Sequence, residues 1–552
     1  MPTNPVNHPN SRPKLRSGFP ENPQCNETTL DAATFRSILY DRPDVEVHIE
    51  VQETPDFFAD LNLDQIVETI TAAREQYNLK PFFYAPLKSV DAVRYRQDVF
   101  RDLLENLRLL EVVRSFAKSM QNMRVRLATS EKRYYKRQKQ AAFLDAIETY
   151  CSATVALTEG LRSVSSRSRG FQGLCEFLIR YSSSKDFTDL SKEMQQVRTD
   201  LAKVRYSLHI HQGRVTVDHN DAEGDYSEEV LGTFAKFRQA DPRGHNLKIR
   251  LSAEMNHIEA RILDLVVALN SEIFARLDEY CDRYGNYCHE LIARFDREVQ
   301  FYLTYLEQME PLQKAGLSFC IPDVSGHSKE VQAKDTFDLA LATQLVRGRK
   351  DVIKNSFHLR DPERIIVVSG PNQGGKTTFA RTFGQLHYLA ALGCPVAGVS
   401  AKMFLFDKIF THFEKEEDLQ NLRGKLEDEL VRIHEIFDQA TENGVLIMNE
   451  SFLSTTLDDA LFLSREVMKR IAGLDMLCVT VTFLEELATF DETTVSMVST
   501  VNPADPQQRT FKVIRRPADG LAYAAAIADK YHLTYDDVSS RVNSRESEAS
   551  GS

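Results

Sequence analysis

Val367-Val368-Ser369-Gly370-Pro371-Asn372-Gln373-Gly374-Gly375-Lys376-Thr377-Thr378 is the stretch on which the reading of this chain turns. Residues 364–369 are an apolar run that predicts a buried strand, the glycines a turn, and the residues from Thr377 onward a helix. The turn fits G-x-x-x-x-G-K-[ST], a phosphate-binding loop. Its spacing has a chemical reason. Glycines at 370, 374 and 375 let the backbone fold closely around a triphosphate and aim its N–H groups inward, with Pro371, Asn372 and Gln373 spanning the loop. Lys376 is placed to reach the β- and γ-phosphates, and the Thr377 hydroxyl to sit on Mg²⁺. Thr378 follows in a helix whose positive end points at the anion. The expected ligands are ATP and Mg²⁺.

A second stretch carries chemistry: Val445-Leu446-Ile447-Met448-Asn449-Glu450. An apolar strand ending in polar and acidic groups is the usual companion of such a loop, because strand ends face the ligand in parallel sheets. A carboxylate there can orient an attacking water, so Glu450 is the candidate general base and Lys376 its catalytic companion. Asn449 departs from the usual pattern, which has an aspartate holding Mg²⁺ before the glutamate. An amide oxygen is a weaker ligand for a hard cation than a carboxylate. The expectation is slow turnover, or ATP binding without hydrolysis.

Around these stretches, β-rich runs at 364–369, 444–449, 476–481, 493–500 and 509–515 alternate with helical patterns, which predicts an α/β domain with a largely parallel sheet. Upstream the pattern is different. Residues 87–241 and 243–310 contain no proline, and proline costs about 3 kcal/mol inside a helix, so these spans read as long helices. Ile258, Ile262, Leu265, Leu269, Ile273 and Leu277 step by three or four as one apolar stripe. Residues 206–217 alternate around Gln212-Gly213 as a β-hairpin, followed by an acidic run at 218–229. A basic run comprises Arg124, Arg126, Lys132, Arg133, Lys136, Arg137 and Lys139, with Tyr134 and Tyr135 inside it. It is either a solvated helix face or a phosphate-contacting surface, with stacking on the tyrosines as a further reading.

The bulk numbers set limits. At 552 residues there is material for several domains. A net charge of −12 argues against coating nucleic acid by overall charge, though not against a local basic surface. No run reaches the length of a membrane span and no apolar signal segment is present, so a cytoplasmic protein is expected. The eight scattered cysteines read as reduced thiols, and Cys281, Cys288 and His289 fit no common zinc spacing and read as positions along a helix. Residues 1–28 and 541–552 are polar and read as a disordered leader and tail.

At this point the residues resemble a family. Gly370-Pro371-Asn372-Gln373-Gly374-Gly375-Lys376-Thr377 closely resembles the G-P-N-M-G-G-K-S loop of the MutS DNA mismatch repair ATPases. The likeness continues in order: Ile409-Phe410-Thr411 resembles the strand before the signature loop, and 421–435 that loop and its helix. Residues 445–456 resemble the second nucleotide motif, 479–487 the switch segment, and 520–524 the C-terminal element. The helical region, with Tyr95-Arg96-Gln97-Asp98-Val99-Phe100, is similar to the lever and clamp part of MutS-related proteins. The departures are Asn449 for the aspartate, Gly424 near the signature serine, and Thr482 at the switch histidine. No segment resembles the mismatch-reading domain.

The resemblance implies a C-terminal α/β P-loop ATPase domain of ATP-binding-cassette type (321–540), preceded by a long all-α lever and clamp domain (29–320). It implies a head-to-tail homodimer with two sandwiched nucleotides, each site completed by the other subunit's signature loop, and Thr482 beside the nucleotide. The implied function is an ATPase that clamps double-stranded DNA, branched or mismatched, without sequence preference, and switches its lever arms in repair or recombination. The alternative is an ATP-dependent switch or scaffold for a protein partner, with little hydrolysis and no DNA binding.

Overall fold

The computed structural model describes residues 35–42, 53–211, 214–219, 255–414, 424–502, 505–518 and 539. The expected leader and tail, the Gln212-Gly213 turn, the acidic run from 220 and the 520–524 element lie outside the described residues. The chain divides into two compact units, residues 102–296 and residues 1–101 with 297–552. This division differs from the expected boundary near 320. The segment after residue 53 packs on the α/β part, for reasons given below.

The 102–296 unit is helical. It contains α1 (Leu107–Glu131), α2 (Lys136–Ser163), α3 (Arg169–Ser182), α4 (Lys185–Ala202), the strands β1 (Tyr206–His211) and β2 (Arg214–His219), α5 (His257–Leu269) and α6 (Ser271–Arg283). Leu109, Val113, Phe116 and Met120 of α1 recur every three or four residues and are buried, as helical periodicity requires of an inward face. α1 and α2 approach closely at Gly160, where a Cβ would stand 2.5 Å from Val112 Cγ1. Local caps start the helices: Asn106, Ser168 and Ser184 each accept a bond from the backbone N–H three residues on. Asp102, itself buried, accepts the Arg167 and Ser168 N–H groups and fixes the turn before α3.

β1 and β2 pair antiparallel with His211 opposite Arg214, the hairpin that the alternation predicted. The single stripe from Ile258 to Leu277 is corrected. Asn270 (φ −117°, ψ 40°) separates α5 from α6 and resets the helical phase. α6 buries Phe274, Leu277 and Tyr280, whereas Ile258 and Leu265 of α5 are exposed and Ala260 and Val266 point inward. Cys281 lies in α6, but Cys288 and His289 sit in the turn before the helix Glu290–Lys314. Among the described residues no group of three or more His, Cys, Asp or Glu could hold a metal ion. No helix among them is long and apolar enough to cross a membrane.

The other unit is built on a six-stranded sheet. Its strands are β3 (Ile365–Ser369), β4 (Ile409–Phe413), β5 (Val445–Asn449), β6 (Leu477–Val481), β7 (Thr494–Asn502) and β8 (Asp505–Arg515), in the spatial order β4-β5-β6-β3-β7-β8. All pairs are parallel except β7–β8. Ile365 to Val368 are completely buried, because a parallel strand covered on both faces is apolar throughout. α7 (Lys376–Ala391) packs on one face. α8 (Lys425–Gln439) and α9 (Leu457–Gly473) share the other face's core, with Ile433, Phe437, Met468 and Ile471 against Val367, Leu446 and Met448.

α7 is buried on its outer side too, by the segment from residue 57 onward. Arg381 Nε donates to Asp60 O (2.8 Å), Gln385 Nε2 to Leu61 O (2.8 Å) and Tyr388 Oη to Phe83 O (2.8 Å). Gly384 leaves room for Leu61, whose methyls would stand 2.8 Å from a Cβ there. Asp60 also accepts from Thr411 Oγ1 of β4 (2.6 Å). Residues 57–84 are therefore an integral layer of the α/β unit.

Candidate nucleotide site at the strand ends

β3, β5 and β6 end side by side, with Val481 level with both Val368 and Asn449. The loop 370–375 leaves β3 at this edge and enters α7. Three of its residues adopt left-handed backbone conformations: Gly370 (φ 110°), Gln373 (φ 60°) and Gly375 (φ 90°). The loop is pressed onto β7. A Cβ on Gly370 would lie 2.7 Å from Ser499 O, and one on Gly374 2.2 Å from Ser499 Oγ, which itself donates to Gly374 O (2.7 Å). Glycine is thus required at 374 by a buried serine 125 residues away. From β8, Arg509 Nε donates to Asn372 O (3.2 Å) and Phe511 (φ 57°) lies against Gly375. Asn372 and Gln373 are exposed, whereas Pro371 is buried.

Lys376 is buried, and its ammonium donates to Gly370 O (3.0 Å), Pro371 O (3.2 Å) and Asn372 Oδ1 (3.2 Å). Burial lowers its pKa; the carboxylate of Glu450 opposes this and Arg509 adds to it. The next residue joins the loop to the second motif: Thr377 Oγ1 donates to Asn449 Oδ1 at 2.8 Å. Thr378 stands in the first turn of α7, its carbonyl accepting from Thr382 Oγ1. Glu450 follows β5 with φ 52°, its N–H held by Val481 O (2.9 Å). Thr482 follows β6, the strand between β5 and β3. It is buried, its N–H donating to Val368 O (3.1 Å) and its hydroxyl accepting from Leu484 N (3.0 Å). The residues expected at the nucleotide site thus lie together at the carboxyl ends of β3, β5 and β6.

Sequence reasoning missed Ser499, Arg509 and Glu429. The carboxylate of Glu429, buried in α8, accepts the N–H of Phe452 at 2.7 Å. It thereby fixes a turn in which both Glu450 and Phe452 have positive φ. A signal was present: Leu426, Glu429, Ile433 and Phe437 share one helical face, and a glutamate on an otherwise apolar face needs a partner. Gly424 precedes α8 in extended conformation; residues 415–423 of the expected signature loop lie outside the described residues.

The arrangement fits an anionic ligand. The loop has no room for side chains at 370 and 374, its end is the N-terminus of a sixteen-residue helix, and a buried ammonium lies over it. It also fits a divalent cation, though weakly, since Thr377 and Asn449 offer neutral oxygens only.

These features define an α/β domain with an anion-cradling loop at the carboxyl ends of parallel strands. Residues 366–528 match the family model described as MutS domain V. The chain is 26% identical over 249 residues to the DNA mismatch repair protein MutS of Rickettsia bellii (strain OSU 85-389), covering 44% of this chain and 27% of that protein. It is 22% identical over 443 residues to the protein of the same name from Exiguobacterium sp. (strain ATCC BAA-1283 / AT1b), covering 75% of this chain and 51% of that one. The chain thus carries a region that matches MutS domain V, and it is similar to MutS proteins over that region and more distantly over three quarters of its length. The matched parts make up between about a quarter and a half of these relatives.

Proposed function

We propose that the chain is a MutS-like, P-loop ATPase that binds DNA and couples ATP binding and hydrolysis to movement of its helical unit. The observation that carries the reading is the Thr377–Asn449 contact beside the buried Lys376, which brings two separate nucleotide motifs together at the strand ends. When bound, Mg·ATP supplies a γ-phosphoryl group open to attack by water. Lys376 neutralises phosphate charge, and the loop N–H groups hold the phosphate oxygens. Thr377 and Asn449 would hold the cation through their side-chain oxygens. Glu450 orients the water and accepts its proton. Thr482, between these strand ends, would stand beside the nucleotide. A second copy of the chain completes each site, so that dimer geometry follows the nucleotide.

The test is ATP turnover by the purified chain, with and without duplex and branched DNA, beside Glu450→Gln and Lys376→Ala. Turnover that rises with DNA and is lost in both variants supports the reading. The neutral Asn449 favours a second reading, a switch that binds ATP and a protein partner with little hydrolysis. Tight ATP binding with no turnover and no DNA effect selects it.

A further inference from the structure

The connection between α1 and α2 holds a surface that the nucleotide site does not use. Of the seven basic residues there, three are committed to ion pairs. Arg124 pairs with Asp296, and Lys136 and Arg137 pair with Asp278 at 2.9 and 2.6 Å. Gln140 adds a bond to the same carboxylate (2.6 Å), and the Arg137 guanidinium lies 5.2 Å from the centre of the Phe274 ring. These contacts anchor the first turn of α2 on α6. The other four, Arg126, Lys132, Arg133 and Lys139, have no ion pair among the described residues; Arg133 is half-buried and the rest are exposed.

Tyr134 stands among them with 91% of its surface exposed, the highest value of any large apolar or aromatic side chain among the described residues. It is not a loose ring. The Tyr135 ring meets it edge to face (5.4 Å between centroids, 86°), and Arg133 N–H donates to Ser130 O to close α1 just before it. Four uncommitted cations within fourteen residues, on a chain of net charge −12, favour a polyanion. An aromatic face held out between them favours a planar, apolar group carried by that polyanion. Unpaired nucleobases on a phosphate backbone combine both features.

We propose that the α1–α2 tip is a DNA contact in which Arg126, Lys132, Arg133 and Lys139 hold backbone phosphates and Tyr134 stacks on an unpaired or unstacked base. This rests on the reading of the chain as DNA-binding and adds to it a site and a preference for duplexes that expose a base. The cations act on any DNA; Tyr134 distinguishes an exposed base from a paired one.

The test uses the full chain and two fluorescein-labelled duplexes, one fully paired and one with a single extra 2-aminopurine. The variants are Lys132→Glu with Arg133→Glu, Tyr134→Ala, Tyr134→Phe, and the control Lys192→Glu on α4. All sites are at the surface, and unchanged helical circular dichroism checks that each variant folds. The double charge reversal is expected to weaken binding to both duplexes at least tenfold. It should also reduce the slope of log affinity against log salt by about two. Tyr134→Ala should weaken binding to the aminopurine duplex about tenfold and abolish quenching of its fluorescence, with Tyr134→Phe and Lys192→Glu like the wild type. Wild-type binding to both duplexes by the charge-reversed chain, or unchanged quenching in Tyr134→Ala, overturns the tip proposal and leaves DNA binding standing. Failure of the wild type to bind either duplex at low salt overturns both.

Discussion

Thr377 donates its hydroxyl proton to the amide oxygen of Asn449 across 2.8 Å, joining the first turn of α7 to the end of β5. The contact ties two motifs 72 residues apart to one point, and it does so without a charge. An aspartate in the same place would accept the same bond and add a full negative charge facing the loop. The first prediction follows. Asn449→Asp should lower the Mg²⁺ concentration needed for half-saturation of nucleotide binding about tenfold or more, since a unit charge near a divalent ion outweighs a neutral dipole. Titrating Mg²⁺ at fixed nucleotide checks it; an unchanged midpoint would place the cation elsewhere.

The loop and β7 meet at Gly374 and Ser499, and the fit leaves no room for a methyl group. Gly374→Ala should destabilise the unit by about 1–3 kcal/mol, as overpacking of a close contact does. Because part of the collision is with the Ser499 hydroxyl, the double variant Gly374→Ala/Ser499→Ala should recover part of that loss. Denaturant midpoints for the two singles and the double give the coupling, and strict additivity would remove Ser499 as the neighbour that matters.

Glu429 is expected to behave as a backbone clamp. Glu429→Ala leaves the buried Phe452 N–H without its acceptor and should cost about 1–3 kcal/mol. Glu429→Gln keeps an acceptor oxygen and should cost less. Slower hydrogen exchange at Phe452 in the wild type than in Glu429→Ala checks the assignment at the residue itself.

His387 predicts an acid limit to stability. Its ring is fully buried in α7, with Nδ1 2.9 Å from Phe383 O, and burial drives its pKa down to about 4, the carbonyl opposing. An unfolded histidine takes up a proton near pH 6.5, so between these values the unfolded chain binds more protons and stability falls as pH falls. The contribution is complete above 6.5 and is lost as pH falls through 4. At pH 4.5 most of that contribution is gone, a loss on the order of a few kcal/mol. His387→Gln should therefore lose less stability than the wild type between pH 7 and 4.5; equal losses would refute the assignment.

What could be read from residues alone follows a physical line. β3, β5 and β6 were legible because buried parallel strands are continuous apolar runs, each followed at once by its polar end. The glycine-rich turn from β3 into α7 was legible because its residues are eight consecutive positions. Ser499, Arg509 and Glu429 were not, since each acts on a residue brought near only by sheet register or helix packing. The stripe through α5 misled for a related reason: periodicity reports a face but not what the face meets, and one break at Asn270 changes its phase. The place of residues 57–84 in the α/β unit was not legible, because their partner, α7, lies about 300 residues further on.

That separation has a consequence for how the protein is made. Leu61 finds its hydrogen-bond donor, Gln385, 324 residues later in the chain. At about 5–20 residues per second of synthesis, the segment waits roughly 15–65 seconds before α7 emerges. During that interval Phe58, Leu61 and Phe83, each completely buried in the finished fold, lack the part of their native cover that α7 supplies. The nascent α/β unit is thus the part of this chain with the longest exposure to aggregation and to chaperones. A fragment beginning near residue 320 would carry the mirror-image defect, an uncovered α7.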